Sequence, residues 1–422
     1  MIGFIELSLI FVFLFFYAGL VYTLSVLGAG VWDIRRRRGV SRSQTGRERS
    51  LFFSLLVAAR NEEKVLGRLL ESFSRLNYPA DRFEVVVVDD GSEDGTADIC
   101  RGFAERFGNM RFLQRRVSGG KAKALNYGLK FCRGEIVGIF DADNVVAGDA
   151  LANVEKYFED PNVSAVQGSI RSINSDENML TQVVAYEDLV WGDAFLRGKE
   201  ALGLFVYLRG CVEFIRLKVL EKLGGFDEGT LTEDIEISAR LTKLGHKVRY
   251  AHDVWGWQES PARLQPHLKQ RTRWFRGYME TAFKYSRLLS SVNRQTVDAE
   301  ITLFMPLVAL ASMISYWIAS WAVLSSAPFG VILGAFSLFS MVCTSTLMVL
   351  CGLALVYVSR HRRFRSLLWL PFVFVYWSLE SFLVLYASLL IIFRRPCRWV
   401  KTERSGAVTS PEFALELSSH LD

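Results

Sequence analysis

Apolar residues crowd the two ends of this chain and thin out in its middle. From Leu7 to Trp32 nearly every position is apolar, a run long enough to cross a bilayer as one helix. Three further runs of that kind lie at about Ile301 to Leu324, Val331 to Val358 and Leu367 to Phe393. Between them, from Leu51 to about Tyr250, short apolar runs alternate with amphipathic stretches. Ser54–Ala59, Glu84–Val88 and Ile136–Phe140 are predicted as buried strands, with another strand near Phe112. A helix is predicted after Asn61, which serves as its cap, with Val65, Leu66, Leu69, Leu70 and Phe73 on one face. Further helices are predicted near Gly95–Phe107 and Ala122–Phe131. Strand–helix alternation with short Gly-bearing turns argues an α/β fold, a mostly parallel sheet with helices on both faces. Such sheets bind ligands at the carboxyl ends of their strands. Gln258 to Leu289 is basic and aromatic-rich and predicts amphipathic helix at a membrane surface.

Composition sharpens this division. Half of the 422 residues are hydrophobic, and the net charge is +6. The basic surplus sits beside the apolar runs, in Arg35 to Arg38, Arg360 to Arg365 and Arg394 to Lys401. Basic residues flanking a span mark its cytoplasmic side, so the central domain is expected in the cytoplasm of an integral membrane protein. A cleaved signal peptide does not fit, because no basic residue precedes the first run and the run is too long. No basic face on a folded domain suggests a nucleic-acid partner. The expected layout is a transmembrane helix over 1–34, a central catalytic domain over 51–257, and interface helices over 258–298. A transmembrane region over 299–393 and a basic, then polar tail over 394–422 complete it. A single crossing by Leu367–Phe393 would put Arg394, Arg395, Arg398 and Lys401 outside, against the charge rule. A break near Pro371 or at Ser378 and Glu380 is therefore expected, with Trp399–Asp422 returned to the cytoplasm. The six cysteines form no CxxC pair and read as reduced thiols without zinc.

Five short motifs carry candidate chemistry. Asp89-Asp90-Gly91-Ser92 closes a strand, where a carboxylate can accept from a base N–H or simply build a turn. Gly119-Gly120-Lys121 opens a helix, where glycines let backbone approach a phosphate and lysine supplies charge. It lacks P-loop spacing, so ATP hydrolysis is not indicated. Asp141-Ala142-Asp143 ends a strand, and two such carboxylates can share magnesium or manganese with a diphosphate, or form a plain acidic turn. Thr232-Glu233-Asp234 opens a helix, with Thr232 as cap and Asp234 a candidate general base for a hydroxyl. Gln270, Arg273 and Trp274 share one helical face, where an indole can stack on a sugar and an arginine can meet phosphate, or where both can sit at a membrane surface.

Together and in this order, these motifs resemble the inverting glycosyltransferases of family 2. The resemblance is strongest to the membrane synthases of cellulose, chitin, hyaluronan and poly-N-acetylglucosamine. It covers about Ser54 to Trp274 and the flanking spans, and Gly120-Lys121-Ala122-Lys123-Ala124-Leu125-Asn126 is most similar to the poly-N-acetylglucosamine synthases. It implies a GT-A-like fold and a metal-dependent hexosyl- or N-acetylhexosaminyltransferase. Glu62, Asp89 and Asp90 would lie around the nucleoside, and Lys121 would face the nucleotide. Asp141 and Asp143 would be the DxD pair, with Asp143 the metal ligand. Asp234, beside Glu233, would be the base. Gln270, Arg273 and Trp274 match the QxxRW motif, which caps the acceptor site and the nucleotide. Arg60 stands where many relatives carry an aromatic residue, and the chain lacks an appended regulatory domain, so control by a cyclic dinucleotide is not expected.

The implied reaction is transfer from a UDP-sugar to a glycan acceptor, as in processive synthesis of a β-linked polysaccharide. Single transfer to a lipid acceptor is the alternative, because it would use every one of these motifs. A transporter with a nucleotide-binding domain is disfavoured by apolar segments that carry little charge beyond Glu380.

Overall fold

The computed structural model describes residues 4–37, 51–285, 292–325, 331–358, 368, 370–396, 404 and 406. In chain order the elements begin with α1 (Phe4–Arg37), β1 (Phe53–Ala59), α2 (Leu66–Ser74), β2 (Phe83–Asp90), α3 (Thr96–Arg106) and β3 (Met110–Arg115). They continue with α4 (Lys121–Leu129), β4 (Ile136–Asp141), β5 (Val145–Val146), α5 (Ala150–Glu155), β6 (Val163–Ser172), α6 (Met179–Glu187) and α7 (Phe195–Leu202). After these come β7 (Glu213–Arg216), α8 (Leu217–Leu223), α9 (Glu233–Lys243), β8 (Lys247–Gln258) and α10 (Leu264–Lys284). The helices α11 (Arg294–Leu303), α12 (Met305–Ser325), α13 (Val331–Val358) and α14 (Leu370–Ile392) follow.

These elements form two compact units. One comprises Val40–Asp188, Phe205–His267 and Arg398–Asp422, and the other Met1–Gly39, Leu189–Leu204 and Leu268–Cys397. The first is built on an eight-stranded sheet in the order 3-2-1-4-7-6-8-5. Strands β1 to β4 that pair with one another do so in parallel, whereas β7 is antiparallel to both β4 and β6. The sheet is therefore mixed, parallel in its first half. Strand order reverses at β1, which lies between β2 and β4, so the carboxyl ends of β2 and β4 flank a topological switch point. Phe53, Leu55, Val57, Val85, Val87, Ile136 and Phe140 point into one continuous core with Leu66, Leu69 and Phe73 of α2. Two-residue alternation along the strands and three-to-four spacing along α2 are what bring these positions together.

Three local expectations change. Asn61 does not cap α2: its backbone is left-handed, at φ 54°, and its side chain accepts the Glu93 N–H at 2.8 Å. The helix begins after Val65 with no side-chain cap. Gln258 belongs to β8, and the amphipathic helix starts at Leu264. The run Ile301–Leu324 is not one helix, because Phe304 separates α11 from α12.

The second unit is helical. By length and apolarity, Phe13–Arg36 and Pro371–Ile392 can each cross a bilayer, and Leu338–Gly352 is a shorter apolar stretch. The expected break in Leu367–Phe393 does not occur: α14 runs unbroken past Ser378 and Glu380, and Pro371 sits in its first turn, where it removes no helical hydrogen bond. Glu380 is instead paired with Arg271 of α10 at 3.3 Å. Helices α1 and α7 approach at glycines. A Cβ on Gly30 would lie 1.8 Å from the Ala194 carbonyl oxygen, and one on Gly198 1.9 Å from that of Val26. Beside them, fully buried Lys199 donates to Asp298 at 2.6 Å, Tyr22 at 2.8 Å and Thr302 at 2.7 Å, so all three of its N–H groups are used. Trp399–Asp422, expected on the cytoplasmic side, lies outside the described residues apart from Arg404 and Gly406.

Candidate active site

The sequence-predicted residues Asp89 and Asp90 end β2, buried, with their carboxylates engaged by protein donors. Asp89 accepts from the Ser92 N–H at 3.0 Å and from Gln114 at 3.1 Å. Asp90 accepts from Ser118 Oγ at 2.9 Å, from the N–H groups of Gly119 and Gly120 at 3.0 and 2.9 Å, and from Arg115. Asp90 therefore organises the glycine loop that delivers Lys121 to the start of α4. Glu62 follows β1. Its N–H donates to Thr96 at 2.7 Å, and its carboxylate lies close enough to Arg404 to stabilise that cation.

Lys121 is the junction of the site. Its Nζ donates to Asp141 Oδ1 at 2.7 Å and Glu233 Oε1 at 3.0 Å, and to the Gly210 carbonyl at 2.7 Å. One ammonium thus joins the carboxyl end of β4 to the first turn of α9. Burial alone would lower its pKa, but Asp141, Glu233 and Asp234 outweigh that and hold it well above the ordinary lysine value. Asp234 sits next to Glu233 in that first turn, where the helix dipole favours acids. Thr232 occupies the cap position expected of it, yet its hydroxyl makes no cap hydrogen bond.

Asp143 lies two residues beyond β4, in a turn that Asn144 closes by accepting the Asp141 N–H at 2.9 Å. Its carboxylate is 3 % exposed. Arg404 pairs with it at 3.0 Å and also donates to the Glu259 carbonyl. Arg68 of α2 braces the same turn, donating to the Asp143 carbonyl at 2.9 Å and pairing with Glu259 at 3.1 Å. Burial raises the Asp143 pKa against the pull of Arg404. Asp141 and Asp143 offer hard oxygen donors of the kind magnesium and manganese take. Both now hold cationic side chains, and no group of three or more such ligands lies among the described residues, so a divalent cation would take these two carboxylates and draw its other ligands from a diphosphate and water.

Gln270, Arg273 and Trp274 lie on α10, as their spacing requires. From Leu268 onward that helix belongs to the helical unit, in which the Arg271 guanidinium lies 4.8 Å from the Trp274 ring centroid. Several participants escaped the sequence reading: Gly210, Glu213, Glu259, Arg68 and Arg404. Glu213 carried a usable signal, an acid inside the apolar run Cys211–Ile215. Arg404 carried none, because only the fold brings it to Asp143.

The chain is 36% identical over 230 residues to a β-monoglucosyldiacylglycerol synthase of Trichormus variabilis, covering 54% of this chain and 48% of that one. It is 30% identical over 255 residues to the probable glycosyltransferase YdaM of Bacillus subtilis, covering 60% and 61%. It is 27% identical over 280 residues to a poly-β-1,6-N-acetyl-D-glucosamine synthase of Staphylococcus epidermidis, covering 65% and 67%. The chain thus spans about half to two thirds of the length of these curated relatives. In fold it is similar to the mannosyltransferase PcManGT of Pyrobaculum calidifontis, solved with GDP-Man and Mn2+. The TM-score is 0.62 at 21% identity, over 91% of this chain and all of that one. The family model for glycosyltransferase like family 2 matches residues 50–277, more than half of the chain and the stretch that holds all five motifs, and the protein belongs to that family.

Proposed function

We propose that the protein is a membrane-bound inverting glycosyltransferase that moves a sugar from a UDP-sugar to an acceptor hydroxyl. The observation that carries this reading is the Lys121 ammonium, held between Asp141 and Glu233, with Asp234 beside it. The acceptor oxygen forms a bond to the anomeric carbon as the bond from that carbon to the diphosphate breaks. Asp234 takes the hydroxyl proton on its carboxylate. Asp141 and Asp143 would hold magnesium or manganese, whose chemistry when bound is neutralisation of phosphate charge. Glu62, Asp89 and Asp90 frame the nucleoside side, Lys121 and Arg273 serve the nucleotide phosphates, and Gln270 and Trp274 cap the acceptor. The long apolar helices hold the catalytic unit at the cytoplasmic face of the membrane.

A lipid acceptor is favoured by identity, since the β-monoglucosyldiacylglycerol synthase relative is 36% identical and the poly-N-acetylglucosamine synthase 27%. A growing glycan is favoured by coverage, since the latter alignment is longer. Purified protein incubated with several UDP-sugars, magnesium or manganese, and diacylglycerol separates the two: a glycolipid of one sugar supports the first and a polymer the second. Asp234→Asn should abolish UDP release while UDP binding persists. Undiminished release from that variant would remove Asp234 as the base.

A further inference from the structure

The segment Leu208–Val212, between α7 and β7, is held by side chains along its whole length. Ser238 of α9 accepts the Leu208 N–H at 2.9 Å and itself donates to the Asp234 carbonyl at 2.6 Å. Gln167 of β6 accepts the Arg209 N–H at 2.7 Å and donates to the Cys211 carbonyl at 3.0 Å. Glu213 of β7 accepts the Gly210 N–H at 3.0 Å. Gln167 and Glu213 are cross-strand partners in the centre of the sheet, essentially without solvent exposure. Two buried polar side chains on neighbouring strands would be costly if unpaired. Here they are satisfied by this loop.

The loop they grip is strained. Gly210 has φ 80°, and Val212 has φ 51°, which is rare for a β-branched residue. Val212 is fully buried, and its side chain rests where Gly168 and Gly256 lack a Cβ. A Cβ at those positions would come within 2.7 and 2.5 Å of its methyl groups. Strain of this kind persists only where the surroundings over-determine the backbone, and these contacts do so.

The loop meets the chemistry at Gly210. Its carbonyl takes the third N–H of Lys121. A Cβ on Gly210 would lie 3.1 Å from Asp234 Oδ2 and 3.3 Å from Lys121 Nζ. The Gly210 peptide is thus the surface against which both groups are set. We propose that Gln167 and Glu213 are positioning residues that hold the strained Leu208–Val212 loop and so fix where Asp234 and Lys121 stand for transfer. The inference rests on the reading of Asp234 as the base. Glu213 holds the Gly210 N–H directly, and Gln167 holds the residues on either side of Gly210. Burial, together with the nearby Asp234 carboxylate, pushes the Glu213 acid well above its ordinary range, against the pull of Lys121 and of the Gly210 N–H, which favour the carboxylate.

The test compares Glu213→Leu, Glu213→Gln, Gly210→Ala and Asp234→Asn in the full chain. Turnover is read as UDP release from the UDP-sugar that the wild type uses, and UDP affinity by calorimetry with manganese. Glu213→Leu should lower kcat by at least about tenfold, the scale of one lost buried hydrogen bond, with a smaller loss of UDP affinity. Glu213→Gln restores an acceptor for the Gly210 N–H and should recover much of that loss. Gly210→Ala keeps the buried pair intact, so it reports even where Glu213→Leu fails to fold. It should lower kcat more than UDP affinity, because the added methyl would press on Asp234 as well as on Lys121. Wild-type kcat in Gly210→Ala or in folded Glu213→Leu overturns the proposal, as does a loss of UDP affinity equal to the loss of kcat. If Asp234→Asn is inactive while the others are active, the loop assignment fails alone. If Asp234→Asn is active, the base assignment is what fails.

Discussion

Replacing Lys121 with methionine keeps most of the apolar stem and removes the charge and its three donors. Asp141, Glu233 and the Gly210 carbonyl then lose their shared partner. The carboxylates do not suffer equally. The Asp141 side chain is 32 % exposed and can return to water, so its share is that of a partly exposed pair, up to about 1 kcal/mol. The Glu233 side chain is only 8 % exposed and is left beside Asp234 without its ammonium partner. Stripping one partner from a buried pair costs about 3–5 kcal/mol, and relief of the burial cost of the ammonium reduces the net to about 2–4 kcal/mol. For a unit of this size that lowers the unfolding midpoint by roughly 4–16 °C. Thermal unfolding in detergent, followed by tryptophan fluorescence, measures it. The double variant Lys121→Met/Glu233→Gln removes the stranded charge and should regain part of the loss, so the two changes should not add. A single variant that melts with the wild type, or strict additivity in the double, would refute the junction role of Lys121.

Three further outcomes follow from the same geometry. Asp143→Ala should abolish transfer in a folded protein, and EDTA should silence the wild type; full activity in excess EDTA would remove the metal assignment. Trp274→Ala should cost turnover more than UDP affinity, by roughly 1–3 kcal/mol if its indole stacks on the acceptor; unchanged turnover would leave it a membrane-surface residue. Glu213, faced by Asp234, Lys121 and Glu233, has a folded pKa raised well above 4.5, so its contribution to stability is complete below that value and is lost as pH rises towards the folded value. Glu213→Gln should therefore gain stability relative to the wild type as pH rises above 4.5 towards the folded value, and parallel pH–stability curves would refute the shift.

The first half of the sheet was legible because its signals are local. Ser54–Ala59, Glu84–Val88 and Ile136–Phe140 are apolar runs closed by turn residues, and each strand is found within a few residues of its expected ends. The second half, β6 to β8, was not resolved into strands, because its partners are set by antiparallel and crossed pairings that no local period announces. The same divide runs through the site. Asp141, Asp143, Glu233 and Asp234 lie in short acidic motifs at element ends, and such motifs are visible in sequence. Gln167 and Gly210 are single residues whose importance comes from opposing partners 42 to 89 positions away along the chain.

The charge rule and the helix length gave conflicting accounts of Leu367–Phe393, and the unbroken α14 sharpens that conflict. A polar pair inside an apolar segment reads as a break only if its groups lack partners. Glu380 has one, Arg271, from the helix that carries the QxxRW residues. An ion pair between two helices offsets the charge of a buried acid without opening the backbone, and α14 continues past Glu380. The polar residue that suggested a break is therefore better understood as a tie between α10 and α14. It holds the helix that carries Gln270, Arg273 and Trp274 to an apolar helix of the same unit.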